Sequence, residues 1–396
     1  MTSRPVIRLR PKIDPRPLKR GFPWVYANQL VTDRRTRALA PGSVVTLEDA
    51  ERNPLATATI NPNSKIIARV LDPAPDAEID ADWLRARVTL ALALREALYD
   101  TPHYRLIHAE ADGLPGTVVD RFGEALVIQP NAAWIETLLP DFAKILSDVT
   151  GAQILYKNAQ GRARSLEGLD DVSALMRGAL DGPVPVPMNG ATYMADLEGG
   201  QKTGLFYDQR PNHAFVARLS RGLNVLDVFS HVGGFGLSAL AQGARSALSV
   251  DGSEAALDLA RAGAAATGVA DQFETRKADA FDALATLGGE GRVFGSVICD
   301  PPAFAPSKSA RDAGLRAYEK VARLAAALVA PGGFLTLCSC SQAADLPAFQ
   351  AASQRGIGKA GRSAQLLRIG YAGPDHPRLP ALEESGYLKA LTYRLI

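Results

Sequence analysis

The sequence is poor in the side chains that build metal sites and disulfide frameworks. It has three cysteines and five histidines in 396 residues, and they do not form the paired spacing of a zinc site. Three cysteines also cannot supply the several crosslinks of a disulfide-stapled secreted domain. We therefore expect neither a metal ion nor a disulfide framework.

Long apolar runs and a strong charge of one sign are missing as well. No segment reaches the roughly 18 apolar residues of a membrane span, and the apolar run at 90–94 ends at Arg95 and Glu96. The first residues lack the apolar centre of a signal peptide, so we expect a cytoplasmic protein. The net charge is only +2, and any contact with nucleic acid must come from a local patch.

Such a patch is present near the start of the chain. Asp14 is the sole acid among the first twenty residues. The cations of this stretch are Arg4, Arg8, Arg10, Lys12, Arg16, Lys19 and Arg20. This excess suits contacts with phosphates, although a solvated basic tail has the same composition. Arg16, Lys19 and Arg20 are the candidates for RNA contacts.

Turn signals and hydrophobic spacing divide the chain into three predicted domains. Residues 1–75 alternate short β-branched segments with glycine and proline, which is typical of a small β-rich domain. Residues 76–185 combine helical spacing at 81–99 with further strands and predict a central α+β domain. The Asn-Gly pair at 189–190 predicts a hairpin near the start of the third domain, 186–396.

The third domain alternates regularly between strands and helices. The predicted strands are "NVLDVF", "SALSVDG", "FETRKAD", "SVICD" and "FLTLCSC". Helical segments follow them, which predicts an α/β fold with a mostly parallel, doubly wound sheet. Ligands of such sheets bind at the carboxyl ends of the strands, so the residues there are the first candidates for a site.

The first three strand ends predict a pocket for an adenosine group. Asp227 lies at the end of the first strand, and Gly233 and Gly234 follow in a turn that leads into a helix. Asp251 ends the second strand, where a carboxylate can accept both ribose hydroxyls, and Asp279 ends the third, near the expected adenine edge. Each acid alone is more typical of a helix cap or turn, and the prediction of a pocket rests on their joint occurrence at successive strand ends. Because the turn departs from G-x-G-x-x-G, the set favours S-adenosylmethionine over NAD.

The fourth strand ends in a rigid stretch that suits a planar base. Asp300 is followed by Pro301 and Pro302, which fix the backbone and lack amide donors. We expect Asp300 to face the polar edge of the base, with the prolines and Phe304 as substrate contacts. A simple strand-ending turn is the alternative interpretation.

The fifth strand carries two of the three cysteines. If the strand continues, Cys338 and Cys340 share one face, and Cys340 is nearer the ligand end. We expect Cys338 to be buried and inert. A thiolate at Cys340 could add to carbon 6 of a pyrimidine and make carbon 5 electron-rich enough to accept a methyl group. An unperturbed thiol is roughly 3% thiolate at pH 7, so this role needs local activation.

Five motifs in order resemble a known family. They are "EADGLPGTVVDRF", "QKTGLFYDQR", "DVFSHVGGFGL", "CDPPAF" and "CSCS". Together they are similar to the PUA-domain-containing class I ribosomal RNA methyltransferases that make 5-methylcytosine in large-subunit (23S) rRNA. The resemblance implies an N-terminal PUA domain for RNA, a central α+β domain and a C-terminal Rossmann-like domain that uses S-adenosylmethionine.

The resemblance also implies roles for individual residues. By position, Cys340 matches the family's nucleophile, Asp300 its acid at the substrate edge, and Asp227, Asp251 and Asp279 its cofactor contacts. The motif at 201–210 implies cofactor contacts for Asp208 and Arg210, with Arg210 as a partner for the methionine carboxylate.

Two departures from the wider pattern matter. No second cysteine follows the prolines in "DPPAF", so the chain resembles a single-cysteine branch, and the group that removes the carbon-5 proton is unidentified. The first glycine of the usual loop is also replaced within "FSHVGG", where we expect His231 to pack rather than catalyse.

Two other functions stay open from the sequence alone. One is a methyltransferase acting on a base nitrogen of RNA, in which Cys340 would be structural. The other is an RNA-binding ribosome assembly factor without turnover. Whether the chain acts alone or as a homodimer is also open.

Overall fold

The structure is a computed structural model, and it describes residues 4–200 and 203–396. These residues form two compact units. The first is built from 4–181, 203 and 374–385, and the second from 182–200, 204–373 and 386–396. The boundaries of the three predicted domains stay a prediction. In the described ranges, no helix combines the length and the apolar character needed to cross a bilayer.

The first unit contains ten strands and six helices among the described residues. In chain order they are β1 (Val6–Arg8), α1 (Arg16–Lys19), β2 (Trp24–Tyr26), α2 (Arg34–Arg37), β3 (Ser43–Glu48), β4 (Pro54–Ile60), β5 (Ile66–Asp72), α3 (Ala81–Leu98), β6 (His103–His108), β7 (Thr117–Phe122), β8 (Ala125–Pro130), α4 (Ala133–Thr137), α5 (Leu139–Thr150), β9 (Ile154–Lys157), α6 (Arg162–Glu167) and β10 (Ala174–Arg177).

These strands form two five-stranded sheets. The first has the order β1-β3-β4-β5-β2, with only β1 and β3 parallel. The second has the order β10-β9-β8-β7-β6, with β8 and β9 parallel. Helix α3 begins where Asp80 accepts a hydrogen bond from the Trp83 amide, and its inner face buries Leu84 and Val88. This is the helix that the apolar spacing predicts.

Charged side chains connect β5 of the first sheet with the turn after β6 and with α6. Arg69 on β5 forms ion pairs with Glu110 at 3.1 Å and with Glu167 at 3.0 Å. Trp24 donates its ring N–H to the same Glu110 at 2.9 Å. The three charged side chains are at most 12% exposed, so the attraction of Arg69 for both carboxylates offsets part of a large desolvation cost.

The second unit contains nine strands and six helices among the described residues. They are β11 (Val184–Met188), β12 (Ala191–Ala195), α7 (Arg210–Leu219), β13 (Asn224–Val228), α8 (Gly234–Ala241), β14 (Ser246–Asp251), α9 (Glu254–Thr267), β15 (Phe273–Lys277), α10 (Ala280–Gly289), β16 (Phe294–Cys299), α11 (Arg311–Ala327), β17 (Val329–Ser339), α12 (Leu346–Lys359), β18 (Ala364–Gly370) and β19 (Lys389–Leu395).

The predicted hairpin is formed by β11 and β12. Asn189 and Gly190 connect them with φ angles of 55° and 84°. Two consecutive left-handed residues are what the two-residue turn of a twisted hairpin requires, and Asn-Gly adopts them at low cost.

One seven-stranded sheet organises the second unit. Its order is β15-β14-β13-β16-β17-β19-β18. The first five strands are parallel, as predicted, whereas β19 is antiparallel to both β17 and β18. The strand order reverses beside β13, so the carboxyl ends of β13, β14, β16 and β17 lie next to one another at the usual ligand position of such sheets.

Candidate active site

The strand-end site comprises the predicted residues at these four carboxyl ends. Asp227 lies in β13, Asp251 ends β14, Asp300 follows β16, and Cys340 follows β17. In the register of β16 and β17, Cys299 is opposite Leu337, so Asp300 and Cys340 follow neighbouring strands. The expectation that these two side chains lie at adjacent strand ends is confirmed by the topology.

A strained loop connects β13 to α8. Phe229, His231 and Gly233 have φ angles of 62°, 50° and 81°, and such values are uncommon and strained for non-glycine residues. Asp251 stabilises the loop, because one carboxylate oxygen accepts from the His231 amide at 2.8 Å and the other from the Ser253 amide at 2.9 Å. His231 therefore helps to hold the loop in its conformation through its backbone amide.

Asp227 is a deeply buried acid of the site. It is 1% exposed, and one carboxylate oxygen accepts from the Gly236 amide at 2.8 Å. Burial, followed by the charges of Asp300 and Asp251, raises the pKa of Asp227 from 3.8 to about 7. Negative groups arranged in this way favour a cationic ligand, because its charge would offset their repulsion.

Close packing also explains why two positions of the loop are glycine. A Cβ on Gly234 would lie 2.8 Å from the His213 ring, and one on Gly233 would lie 3.2 Å from Leu237. His213 is buried, and burial lowers its pKa to about 3, so the ring is neutral. The cofactor contacts of Gly233 and Gly234 stay a prediction.

Asp279 occupies the helix-cap position that was the alternative for each acid. It is exposed and begins α10 by accepting from the amides of Phe281 at 2.8 Å and Asp282 at 3.2 Å. Its predicted contact with adenine is not tested by this arrangement.

The strand-end site fits S-adenosylmethionine, which carries a positive sulfonium, an ammonium and ribose hydroxyls. Asp251 and Asp300 supply negative charge, and Asp227 adds to it when it loses its proton. The Ser230 hydroxyl, in the loop after β13, is 5% exposed and has no hydrogen-bond partner within residues 4–200 and 203–396. A buried hydroxyl of this kind is normally satisfied, so a polar ligand at the loop would give it a partner.

Asp300 is held by a residue that the sequence analysis missed. The side-chain amide of Gln209 donates to an Asp300 carboxylate oxygen at 2.9 Å, and Asn212 donates to the Gln209 carbonyl oxygen at 2.7 Å. Asn212 also donates to the Tyr371 carbonyl at 3.2 Å. Gln209 lies within the motif at 201–210, so the sequence does indicate that this segment matters. The distance along the chain to Asp300 does not indicate that the two side chains are hydrogen-bonded.

The other predicted residues of this motif are buried. Asp208 accepts from the Tyr387 hydroxyl at 2.6 Å, and its carbonyl accepts from the Gly373 amide at 3.0 Å. The Arg210 guanidinium lies 5.4 Å from the ring centroid of Tyr207. These contacts leave the cofactor roles of Asp208 and Arg210 as predictions, and residues 201 and 202 of the motif lie outside the described residues.

The predicted substrate residues after β16 differ in exposure. Pro301 is buried, Pro302 is exposed and Phe304 is half-buried. The Phe304 ring lies 5.0 Å from that of Tyr318 and 6.1 Å from that of Phe281, centroid to centroid. Phe304 therefore packs against the core on at least one side, and Pro302 is the more accessible of the predicted base contacts.

The three cysteines differ in accessibility, and Cys338 is buried, as the sequence predicts. Cys299 and Cys338 are buried and Cys340 is half-buried. Burial raises the pKa of the Cys299 and Cys338 thiols well above the usual value, so both are poor nucleophiles. Strand β17 ends at Ser339, which places Cys340 at the start of the following turn.

A hydroxyl network holds this turn in place. Ser339 donates to the Tyr318 hydroxyl at 2.9 Å, and the hydroxyls of Tyr318 and Ser341 are 2.8 Å apart. The Ala305 amide donates to the Ser341 hydroxyl at 2.9 Å, which joins the turn to the segment after Asp300. No local motif indicates Tyr318, which comes from the middle of α11.

The basic candidates belong to the first unit. Arg16 and Lys19 lie on α1 and Arg20 ends it, and all three are exposed. Arg16 forms an ion pair with Asp14 at 2.9 Å, which reduces the net positive charge of the patch. Across the two described ranges, no group of three or more His, Cys, Asp or Glu residues is placed to hold a metal ion.

The order of the seven strands is that of a class I methyltransferase fold. In agreement, residues 149–394 match the family of S-adenosylmethionine-dependent methyltransferases, and residues 7–73 match the PUA-like domain. The chain is therefore an S-adenosylmethionine-dependent methyltransferase with an N-terminal PUA-like domain, as the sequence predicts.

Named relatives show which methyltransferase family the chain belongs to. A protein of Shewanella denitrificans named ribosomal RNA large subunit methyltransferase I is 34% identical over 98% of this chain and 99% of its own length. The Erwinia tasmaniensis protein of the same name is 33% identical over 96% of both chains. A Deinococcus radiodurans protein named ribosomal RNA large subunit methyltransferase is 34% identical over 98% of both chains. The chain belongs to the family that these large-subunit ribosomal RNA methyltransferases represent.

Solved structures agree on the fold. A Streptococcus mutans protein described as a SAM-dependent methyltransferase matches 98% of this chain and 100% of its own, with a TM-score of 0.83 and 20% identity. A methyltransferase solved in complex with SAH matches 98% of this chain and 99% of its own, with the same TM-score and identity.

Proposed function

We propose that this enzyme methylates carbon 5 of a cytosine in large-subunit ribosomal RNA, with Cys340 as the nucleophile. The observation that carries the proposal is the position of Cys340, the most accessible of the three cysteines, directly after β17 and beside the strand that ends at Asp300. The names of the relatives support the RNA substrate. Such a substrate would be methylated in the cytoplasm.

The chemistry explains why a cysteine belongs at this position. Carbon 5 of cytosine is a weak nucleophile until a thiolate adds to carbon 6. The target base must first leave its stack to reach the site, and Asp300 then orients its polar edge. After the methyl group is attached, carbon 5 loses its proton and the bond from Cys340 to carbon 6 breaks.

S-adenosylmethionine supplies the methyl group when bound. The side chains and backbone that would hold it are those of Asp208, Arg210, Asp227, Gly233, Gly234, Asp251 and Asp279. Among them, the acids at the ends of β13 and β14 would balance the cofactor's positive charge.

We propose RNA contacts in each of the two units. Arg16, Lys19 and Arg20 of the PUA-like domain would bind phosphates, an interaction that weakens as salt rises. Pro301, Pro302 and Phe304 would form the wall beside the target base. These contacts would position the RNA, whereas Asp300 and Cys340 would act on the target base.

The experiment that tests the proposal is methyl transfer to ribosomal RNA from cells that lack this enzyme. With methyl-labelled S-adenosylmethionine, the wild type should place label in 5-methylcytidine, as identified by nucleoside mass spectrometry. Cys340→Ala should transfer less than about one thousandth as much, because the covalent route is lost. Cys338→Ala is the matched control and should stay active, since Cys338 is buried in the core.

A second measurement separates the alternatives. RNA containing 5-fluorocytidine should trap the wild type covalently through Cys340, because fluorine replaces the proton that must leave. Label in an N-methyl nucleoside without a covalent adduct would indicate the base-nitrogen enzyme. RNA binding without any label in any nucleoside would indicate the assembly factor.

A further inference from the structure

Lys389 is a buried cation that the proposed mechanism does not yet use. It is the first residue of β19 and lies opposite Ser339 of β17 in the antiparallel register. Its ammonium donates to the carbonyl of Ser341 at 2.7 Å and to that of Ala344 at 2.8 Å. These two carbonyls belong to the turn that begins at Cys340, so the charge is held against the backbone of the proposed nucleophile.

The burial of this charge needs a reason. Lys389 is 5% exposed, and removing an ammonium from water carries a large desolvation cost. Within the parts of the chain that the structure describes, no carboxylate forms an ion pair with it, and its two hydrogen bonds go to neutral carbonyls. Burial lowers the pKa of Lys389, while the negative charges of Cys340 and Asp345 oppose that shift.

The other charged and titratable groups around the turn are less suited to stabilise a thiolate. Arg311 of α11 donates to the Ala343 carbonyl at 3.1 Å, but its side chain is 40% exposed and lies 3.6 Å from Asp345. Burial raises the pKa of Tyr318, so its hydroxyl stays neutral. Asp300 and Asp345 are negative and disfavour a thiolate. Lys389 is the buried positive group among them.

We propose that Lys389 is a positioning residue that stabilises the thiolate of Cys340 through its buried ammonium. The thiol proton passes to solvent, and Lys389 keeps its own proton throughout. This inference rests on the proposed function, since it supplies the activation that Cys340 needs as a nucleophile.

The test is the alkylation of Cys340 by iodoacetamide, measured by mass spectrometry between pH 6 and pH 10 on the full chain. Loss of the charge in Lys389→Met should move the midpoint of the rate profile up by about one pH unit, which makes alkylation about tenfold slower at pH 7.5. Lys389→Arg should stay near the wild type. Cys299 and Cys338 serve as internal blanks, because both are buried.

Arg311→Met is the matched control, because it also removes a cation that donates to a carbonyl of this turn. Its alkylation profile should lie within about twofold of the wild type, since its charge is exposed and screened. Methyl transfer should follow the same order, with kcat about tenfold lower in Lys389→Met and the KM for RNA unchanged.

A folded Lys389→Met with the wild-type alkylation profile would overturn the inference and leave Lys389 as a clamp on the turn. If this variant does not fold, Lys389→Gln replaces it, because an uncharged amide can still donate to the turn's carbonyls. Alkylation requires neither RNA nor cofactor. A shifted profile without any 5-methylcytidine would therefore count against the proposed function alone.

Discussion

Buried charges are arranged differently in the two units of this enzyme. In the first unit, Arg95 is completely buried and contacts both carboxylate oxygens of Asp112, at 2.6 and 2.8 Å. In the second unit, the charges that act on the buried Asp227 are those of Asp300 and Asp251, which have the same sign. Once an opposite pair is buried, each charge offsets the cost of burying the other, whereas grouped acids weaken the fold and are kept where a ligand needs them.

The largest expected effect comes from breaking the pair in the first unit. Arg95→Met leaves Asp112 buried without its cation and should lower the free energy of unfolding by about 3–5 kcal/mol. Urea denaturation followed by circular dichroism measures this change. Arg85→Met on the same helix is the matched control, because Arg85 and Asp148 are 44% and 37% exposed, and it should cost less than about 1 kcal/mol. Equal losses of unfolding free energy in Arg95→Met and Arg85→Met would contradict the expected difference between buried and exposed ion pairs.

Replacing an acid of the second unit should remove a repulsion and so reduce the pH dependence of stability. The pKa of Asp227 is raised from 3.8 to about 7 by burial and by Asp300 and Asp251. The folded state therefore retains a proton that the unfolded state loses, and stability falls as the pH rises between these two values. Asp227→Asn should abolish this fall, which is at most about 1.4 kcal/mol per pH unit, while it weakens cofactor binding.

Urea unfolding of both proteins at pH 5, 6 and 7 measures the difference. Asp258→Asn is the control, because Asp258 is 66% exposed and its replacement should leave the wild-type pH profile unchanged. Parallel profiles for the wild type and Asp227→Asn would mean that Asp227 titrates normally and that the acids of the strand-end site do not repel one another.

The smallest effect concerns the orientation of a single acid. Gln209→Ala removes the donor to Asp300 and should lower kcat about tenfold, which is the value of one hydrogen bond to a charged group. Cofactor affinity, measured by calorimetry, should stay unchanged. Gln242→Ala is the control, since its side chain donates to the Asn189 carbonyl at 3.3 Å. An unchanged kcat in Gln209→Ala would mean that Asp300 needs no such support.

Much of the second unit's sheet could be predicted from local patterns. Apolar β-branched runs ending in Asp227, Asp251 and Asp300 are buried parallel strands, and such strands have a recognisable composition. The antiparallel insertion of β19 beside β17 could not be predicted in this way, because a strand's neighbour depends on long-range packing. Lys389 owes its position opposite Ser339 to that insertion.

The sequence by itself determined the class of the enzyme and the candidates for its chemistry. The order of strands and helices, the loop after Asp227 and the cysteine after the fifth strand are all local features, and their spacing carries the information. Only the tertiary structure decided which of these groups are buried, which acids share a site and which residues support them. Gln209 and Lys389 reach Asp300 and the Cys340 turn from distant segments, since electrostatics and hydrogen bonds depend on distance in space rather than along the chain.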